Sequence, residues 1–113
     1  MHAERVSKPT TIRQLNDQFR HTFIGGRIVL TPGIAGLADV TRAEILRQVA
    51  EFCEFNEAND PHGEHDFVAF KFDGVHVFAK IDYYSLDLME GSEDPSNPAQ
   101  TTRVMTIMTA DEY

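Results

Sequence analysis

Two histidines and three carboxylates fall within the seven residues from Asp60 to Asp66, in the stretch Asn59-Asp60-Pro61-His62-Gly63-Glu64-His65-Asp66-Phe67. Imidazole and carboxylate together suit zinc, manganese or iron, which makes His62 and His65 the candidate metal ligands. The spacing argues against a metal. H-x-x-H is not the helical H-E-x-x-H pattern, because Glu64 lies in the wrong place, and Pro61 and Gly63 oppose a helix. The acidic residues also do not alternate before the glycine as a calcium loop requires. A second chemistry is acid–base: Asp82 would orient His65 in one tautomer and Lys80 would add a positive charge. No nucleophile has a recognisable setting beside them, since Ser85 and Ser92 are loop serines without an elbow motif. The plainer reading is structural. Asp60 and Pro61 make a turn, and His65 and Asp82 form a cross-strand bond that closes a sheet. Nothing in the stretch calls for a cofactor.

Asp60, His62, Glu64 and Asp66 are also candidates for binding, and four later residues join them. Tyr83 and Tyr84 alternate faces, so one packs while the other stays near the surface as a possible interface anchor. Arg103 opens the last strand after an acidic loop, where Glu93 or Asp94 is placed to pair with it. Gly25-Gly26 is no phosphate loop: it follows a helix, precedes a strand and lacks the Gly-Lys-Ser/Thr ending.

The elements that must position these residues are legible in order. Residues 1–9 read as a disordered arm, and 10–113 as one domain. Thr11 and Gln14 form a capping box. Ile12, Leu15, Phe19 and Phe23 then follow at helical spacing, and Gly25-Gly26 stops the helix. Arg27 to Thr31 is a β-branched strand. Ile34 to Ala38 is a turn or short connector. A second helix runs from about Thr41 to Phe55, with a Thr41/Glu44 capping box, a Val40–Ile45 staple and Cys53 buried in its apolar stripe.

Asn56 to Gly63 is a loop. Two strands follow, Asp66 to Phe72 and Val75 to Tyr83. Asp73-Gly74 between them demands a two-residue type I′ turn, which fixes the register. Phe72 faces Val75, Phe70 faces Val77, Val68 faces Ala79 and Asp66 faces Ile81, giving one apolar face. On the other face His76 meets Lys71, Phe78 meets Ala69, Lys80 meets Phe67 and Asp82 meets His65. Ser85 to Gln100 is a long loop, and Thr102 to Thr109 is the last strand. The expected fold is α+β, with two helices packed on one face of a mainly antiparallel four-stranded sheet.

Composition narrows the function. With 42% hydrophobic and 25% charged residues the 113-residue chain is ordinary globular material. The formal net charge of −8 opposes direct nucleic-acid binding and suits a basic protein partner. A single cysteine, Cys53, excludes an internal disulfide. The start of the chain lacks a signal-peptide run, and no stretch is long enough to span a membrane, so a cytoplasmic location is expected.

Three blocks carry a resemblance. They are Asn59 to Phe67, then Lys80-Ile81-Asp82-Tyr83-Tyr84, then Gly91-Ser92-Glu93-Asp94-Pro95 continuing through Thr102-Arg103-Val104-Met105-Thr106-Ile107-Met108 to Glu112-Tyr113. With Leu15-Asn16-Asp17 and Gly25-Gly26-Arg27, they resemble a bacterial family catalogued only as a domain of unknown function. The resemblance implies a setting on plasmids and other mobile elements. This chain has Val68 where that family often has glycine, and Ser85 where it often has aspartate.

The function expected from all this is a non-enzymatic, acidic interaction module. It would be regulatory, in its sharpest form an inhibitor of a nucleic-acid-handling protein that imitates the charge of DNA. The alternative is a small metal-dependent or acid–base hydrolase centred on His65 and Asp82. A third expectation puts the partner surface on the Ser85–Gln100 loop.

Overall fold

The computed structural model describes residues 8–113, so of the expected disordered arm, 1–9, the first seven residues lie outside them and the last two are helical. Helix α1 runs Lys8–Thr22, strand β1 Gly26–Leu30, helix α2 Pro32–Ala35 and helix α3 Asp39–Glu51. Strands β2 (Phe67–Phe72), β3 (Val75–Tyr84) and β4 (Thr102–Thr109) follow, with short 3-10 turns at Pro98–Gln100 and Ala110–Glu112.

The hairpin register is the expected one. Asp73 and Gly74 both take positive φ, 52° and 79°, as a type I′ turn needs. Phe72 pairs with Val75, Phe70 with Val77, Val68 with Ala79 and Phe67 with Lys80. β4 then pairs antiparallel with β3, and its limits match the expected strand.

The sheet is mixed, not mainly antiparallel. Its order is β1-β4-β3-β2, and β1 pairs with β4 in parallel. The reason is topological. Two helices separate β1 from β2, so the chain crosses over and starts β2 in the same direction as β1. The β2-β3-β4 meander reverses twice and brings β4 back alongside β1. Three helices, not two, accompany the sheet: Pro32 at the first helical position, with its preset φ, turns the expected connector into α2.

Helix boundaries moved too. α1 starts at Lys8 with Pro9 in its first turn, so Thr11 lies inside the helix and not at its cap. Its end is made by Phe23 in the left-handed region, φ 58°, whose N–H returns to the Phe19 carbonyl at 2.7 Å. Gly26 belongs to β1, where a Cβ would stand 2.5 Å from the Arg103 carbonyl oxygen and 2.7 Å from the Phe19 ring. α3 starts at Asp39 with Ala38 at its cap, so Thr41 caps nothing, and Val40 is exposed, so there is no staple. Asp39 pairs with Arg42 at 2.6 Å in the first turn. α3 stops at Glu51, which leaves Cys53 beyond the helix and exposed, contrary to the expected burial.

One core holds the elements together. Phe19 of α1, Ile34 of α2, and Ile45 and Val49 of α3 pack with Val68, Val77, Ala79, Ile81, Met105 and Ile107 of the sheet. The sheet residues of this core share one face by register. Arg103 and Tyr83 continue that face to the end of the sheet where α1 passes.

Candidate functional site

A polar network is buried at that end, and α1 supplies its centre. Among the described side chains of α1, Ile12, Asn16, Phe19 and Arg20 are buried, so a polar i, i+4 pair lies beside the apolar stripe. Asn16 is fully buried. Its Oδ1 accepts from Arg103 Nε at 2.8 Å, and its Nδ2 donates to Tyr83 Oη at 2.8 Å and to the Glu64 carbonyl at 3.0 Å. Tyr83 in turn donates to Glu64 Oε1 at 2.8 Å. Arg103 also donates from Nη2 to the Pro95 carbonyl at 2.5 Å and lies over the Tyr83 ring, 5.1 Å from its centroid. Burial pushes the Tyr83 hydroxyl well above its ordinary range, with Glu64 adding to the effect, and lowers the Arg103 guanidinium. Tyr83 is therefore a neutral donor, not a base.

Arg20 forms the second node. Its Nη1 donates to the carbonyls of Val49, Ala50 and Phe52, at 3.1, 3.3 and 2.8 Å, which caps the C-terminal end of α3 with a positive charge. Its Nη2 pairs with Asp17 at 2.7 Å. The same Asp17 oxygen lies 2.9 Å from His65 Nδ1, and His65 Nε2 is 3.6 Å from Asp60. Phe55 stacks flat on the His65 ring at 3.8 Å, with the Arg20 guanidinium 5.2 Å from the Phe55 centroid.

The expected His65–Asp82 pair does not form. Asp60 Oδ1 accepts from the backbone N–H groups of Glu64 and His65, at 3.1 and 3.2 Å. That bend puts Gly63 at φ 68° and His65 at φ 54°. A left-handed residue just before the strand breaks the alternation of faces, so the His65 side chain turns to α1. Asp82 stays on the other face and takes Lys80 at 3.1 Å, which raises the lysine's pKa. Lys80 and Asp82 thus stand apart from His65.

The other candidates scatter. Glu64 and Tyr83 join the network, while Asp60 is its backbone cradle. Asp66 sits half-buried beside Glu64 and Asp60, and burial raises its carboxyl pKa. His62 is exposed on the loop, and Tyr84 lies on the opposite sheet face beside Asp82. Asp94 shapes its loop by accepting from Ser96, and its carbonyl takes the Thr101 hydroxyl at 2.9 Å. Among the described residues, no group of three or more His, Cys, Asp or Glu side chains is placed to hold a metal. Cys53 and His65 line one hollow of about 140 Å³. Both imidazole nitrogens face carboxylates, so neither is left for the thiol. The sequence reading missed Arg20 and gave Asn16 no role. The available signal was their four-residue spacing next to the apolar stripe.

The fold and this cluster define a small α+β domain with a mixed sheet and a polar network buried at one end. The chain belongs to the protein family of unknown function DUF3768, whose model it matches over residues 30–112. Asn16, Asp17 and Arg20 precede that span. None of the curated proteins and none of the solved structures matches the chain. No helix among the described residues is long and apolar enough to cross a membrane.

Proposed function

We propose that this protein is a non-enzymatic interaction module whose acidic end takes a basic protein partner. The carrying observation is where the charge sits. Residues 52–66 and 85–101 hold nine carboxylates and no lysine or arginine. By strand order both segments lie at one end of the sheet, where β2 and β4 begin and β3 ends. A single-sign field of this kind steers oppositely charged partners and repels nucleic acid. The inhibitor that imitates DNA charge, acting in the cytoplasm of a bacterium carrying a mobile element, is its most specific form.

The polar residues buried at that end support the same reading from the other side. Asn16, Tyr83, Glu64 and Arg103 bond to one another, as do Arg20, Asp17 and His65. Of their buried side-chain atoms Arg20 Nε alone has no partner among the described residues, and such networks position loops and not substrates. The test is recovery of the tagged chain from the cells that produce it. A stoichiometric basic protein should accompany it at low salt and dissociate at high salt. A partner whose binding ignores ionic strength, or none under either condition, removes the reading.

A further inference from the structure

β2 is an outer strand of the sheet, and no other strand among the described residues pairs with its free edge. In a two-residue hairpin the pair beside the turn exchanges backbone bonds, and every second pair after it does the same. Phe72, Phe70 and Val68 therefore turn their N–H and C=O groups to β3. Asp66 does so as well, its carbonyl accepting from Ile81 at 2.9 Å. Phe67, Ala69 and Lys71 turn theirs outward. Among the described residues no backbone group bonds to them there. Proteins usually blunt such an edge with proline, a bulge or several charges. This one carries a single lysine.

A groove of about 460 Å³ runs beside the edge. One wall is Ala69, Phe70 and Lys71; the other is the end of α3 and the residues after it. Phe52 and Phe70 give it apolar surface. Glu51 and Glu54 give it exposed carboxylates and Arg47 and Lys71 give it cations, with Arg47 taking Glu51 at 2.6 Å. No ion pair holds the Glu54 carboxylate among the described residues. The edge begins at Phe67, next to the acidic end of the molecule.

We infer that the β2 edge is a strand-addition site for an extended segment of a basic protein, with its lysine or arginine side chains laid along the groove. This deepens the interaction reading above and rests on it. Outward N–H and C=O groups of Phe67, Ala69 and Lys71 supply the main-chain bonds. Residues of the added strand that share a face with Phe70 enter the groove. A long basic side chain fits both parts of it, its stem on Phe52 and Phe70 and its cation at Glu54. A second copy of the chain is the wrong occupant, because two chains of net charge −8 repel each other.

The test uses the whole chain and a blocked peptide of alternating lysine and valine, with a glutamate–valine peptide as the comparison. The lysine peptide should bind, more weakly as salt rises, and should slow amide exchange at Ala69 and Lys71 by roughly tenfold or more at saturation. The glutamate peptide should do neither. Ala69→Pro removes an outward N–H without touching the β2–β3 ladder, and should weaken binding by at least about tenfold. Glu54→Lys, an exposed change that spares the strand, should weaken it severalfold. Binding with unchanged exchange at Ala69 and Lys71, or binding that survives both substitutions, overturns the strand site and leaves the acidic interaction reading standing. Protection at these amides that grows with protein concentration alone overturns it in favour of a second copy. Absence of salt-dependent binding by the lysine peptide takes down both.

Discussion

Asn16 is the residue on which the buried network turns. It supplies one acceptor to a buried guanidinium and both amide hydrogens to Tyr83 and Glu64. Asn16→Ala leaves Arg103 Nε and the Glu64 carbonyl without their Asn16 partners. Orphaned buried groups cost on the order of 1–3 kcal/mol each, more when charged. We expect a loss of about 2–4 kcal/mol in chemical denaturation. A loss under about 0.5 kcal/mol, the size of an ordinary surface change, would show the network to be loose. His65 belongs to the same scale. Its ring is held on one face by Phe55 and at Nδ1 by Asp17, with Asp60 3.6 Å from Nε2, so the structure makes it a clasp between α1 and the loop before β2.

At the scale of elements the C-terminal turn is clipped to α2. Glu112 accepts from the Thr31 hydroxyl at 2.5 Å, from Thr109 N at 2.9 Å and from Gly33 N at 2.8 Å. These bonds, the Thr31 hydroxyl first, hold its carboxyl at about 2, below its ordinary 4.5. A carboxyl with a depressed folded-state pKa contributes stability that is present above the unfolded-state value and lost as pH falls through the folded one. The melting temperature of the native chain should therefore exceed that of Glu112→Gln at neutral pH. The gap should close between about 4.5 and about 2. A gap that persists unchanged to the acid end would assign the clip to packing and not to charge. The clip also explains Gly33, where a Cβ would meet the Glu112 carboxylate at 2.7 Å.

The whole molecule gathers nine carboxylates at one end of the sheet, so folding works against its own charge. The exposed ion pairs of α3, Arg42–Asp39 and Arg47 with Glu44 and Glu51, act the other way. Such exposed pairs contribute little each and are screened by salt. We expect repulsion among the carboxylates to be the larger effect. Raising ionic strength from low to physiological should then raise the melting temperature by about 2–4 °C, since about 1 kcal/mol moves a domain of this size by somewhat more. A fall on adding salt would mean that the α3 pairs dominate.

The sequence by itself determined what short-range chemistry dictates. Asp73-Gly74 admits one turn, the turn admits one register, and that register sorted Phe67 to Tyr84 onto two faces. The apolar stripe of α1, the limits of β4 and membership of an uncharacterised family were equally legible. Only the tertiary structure decided the rest. The parallel β1–β4 pair joins residues separated by most of the chain, and no local residue choice encodes which strand becomes the neighbour. Asn16 and Arg20 read in the sequence like ordinary surface residues, because composition does not distinguish a solvated polar group from one whose partner arrives from another element. The stretch from Asn59 to Phe67 shows both halves. Its residue types announced a cluster, but Asp60 bent the backbone, turned His65 through a left-handed conformation and gave it Asp17 in place of Asp82.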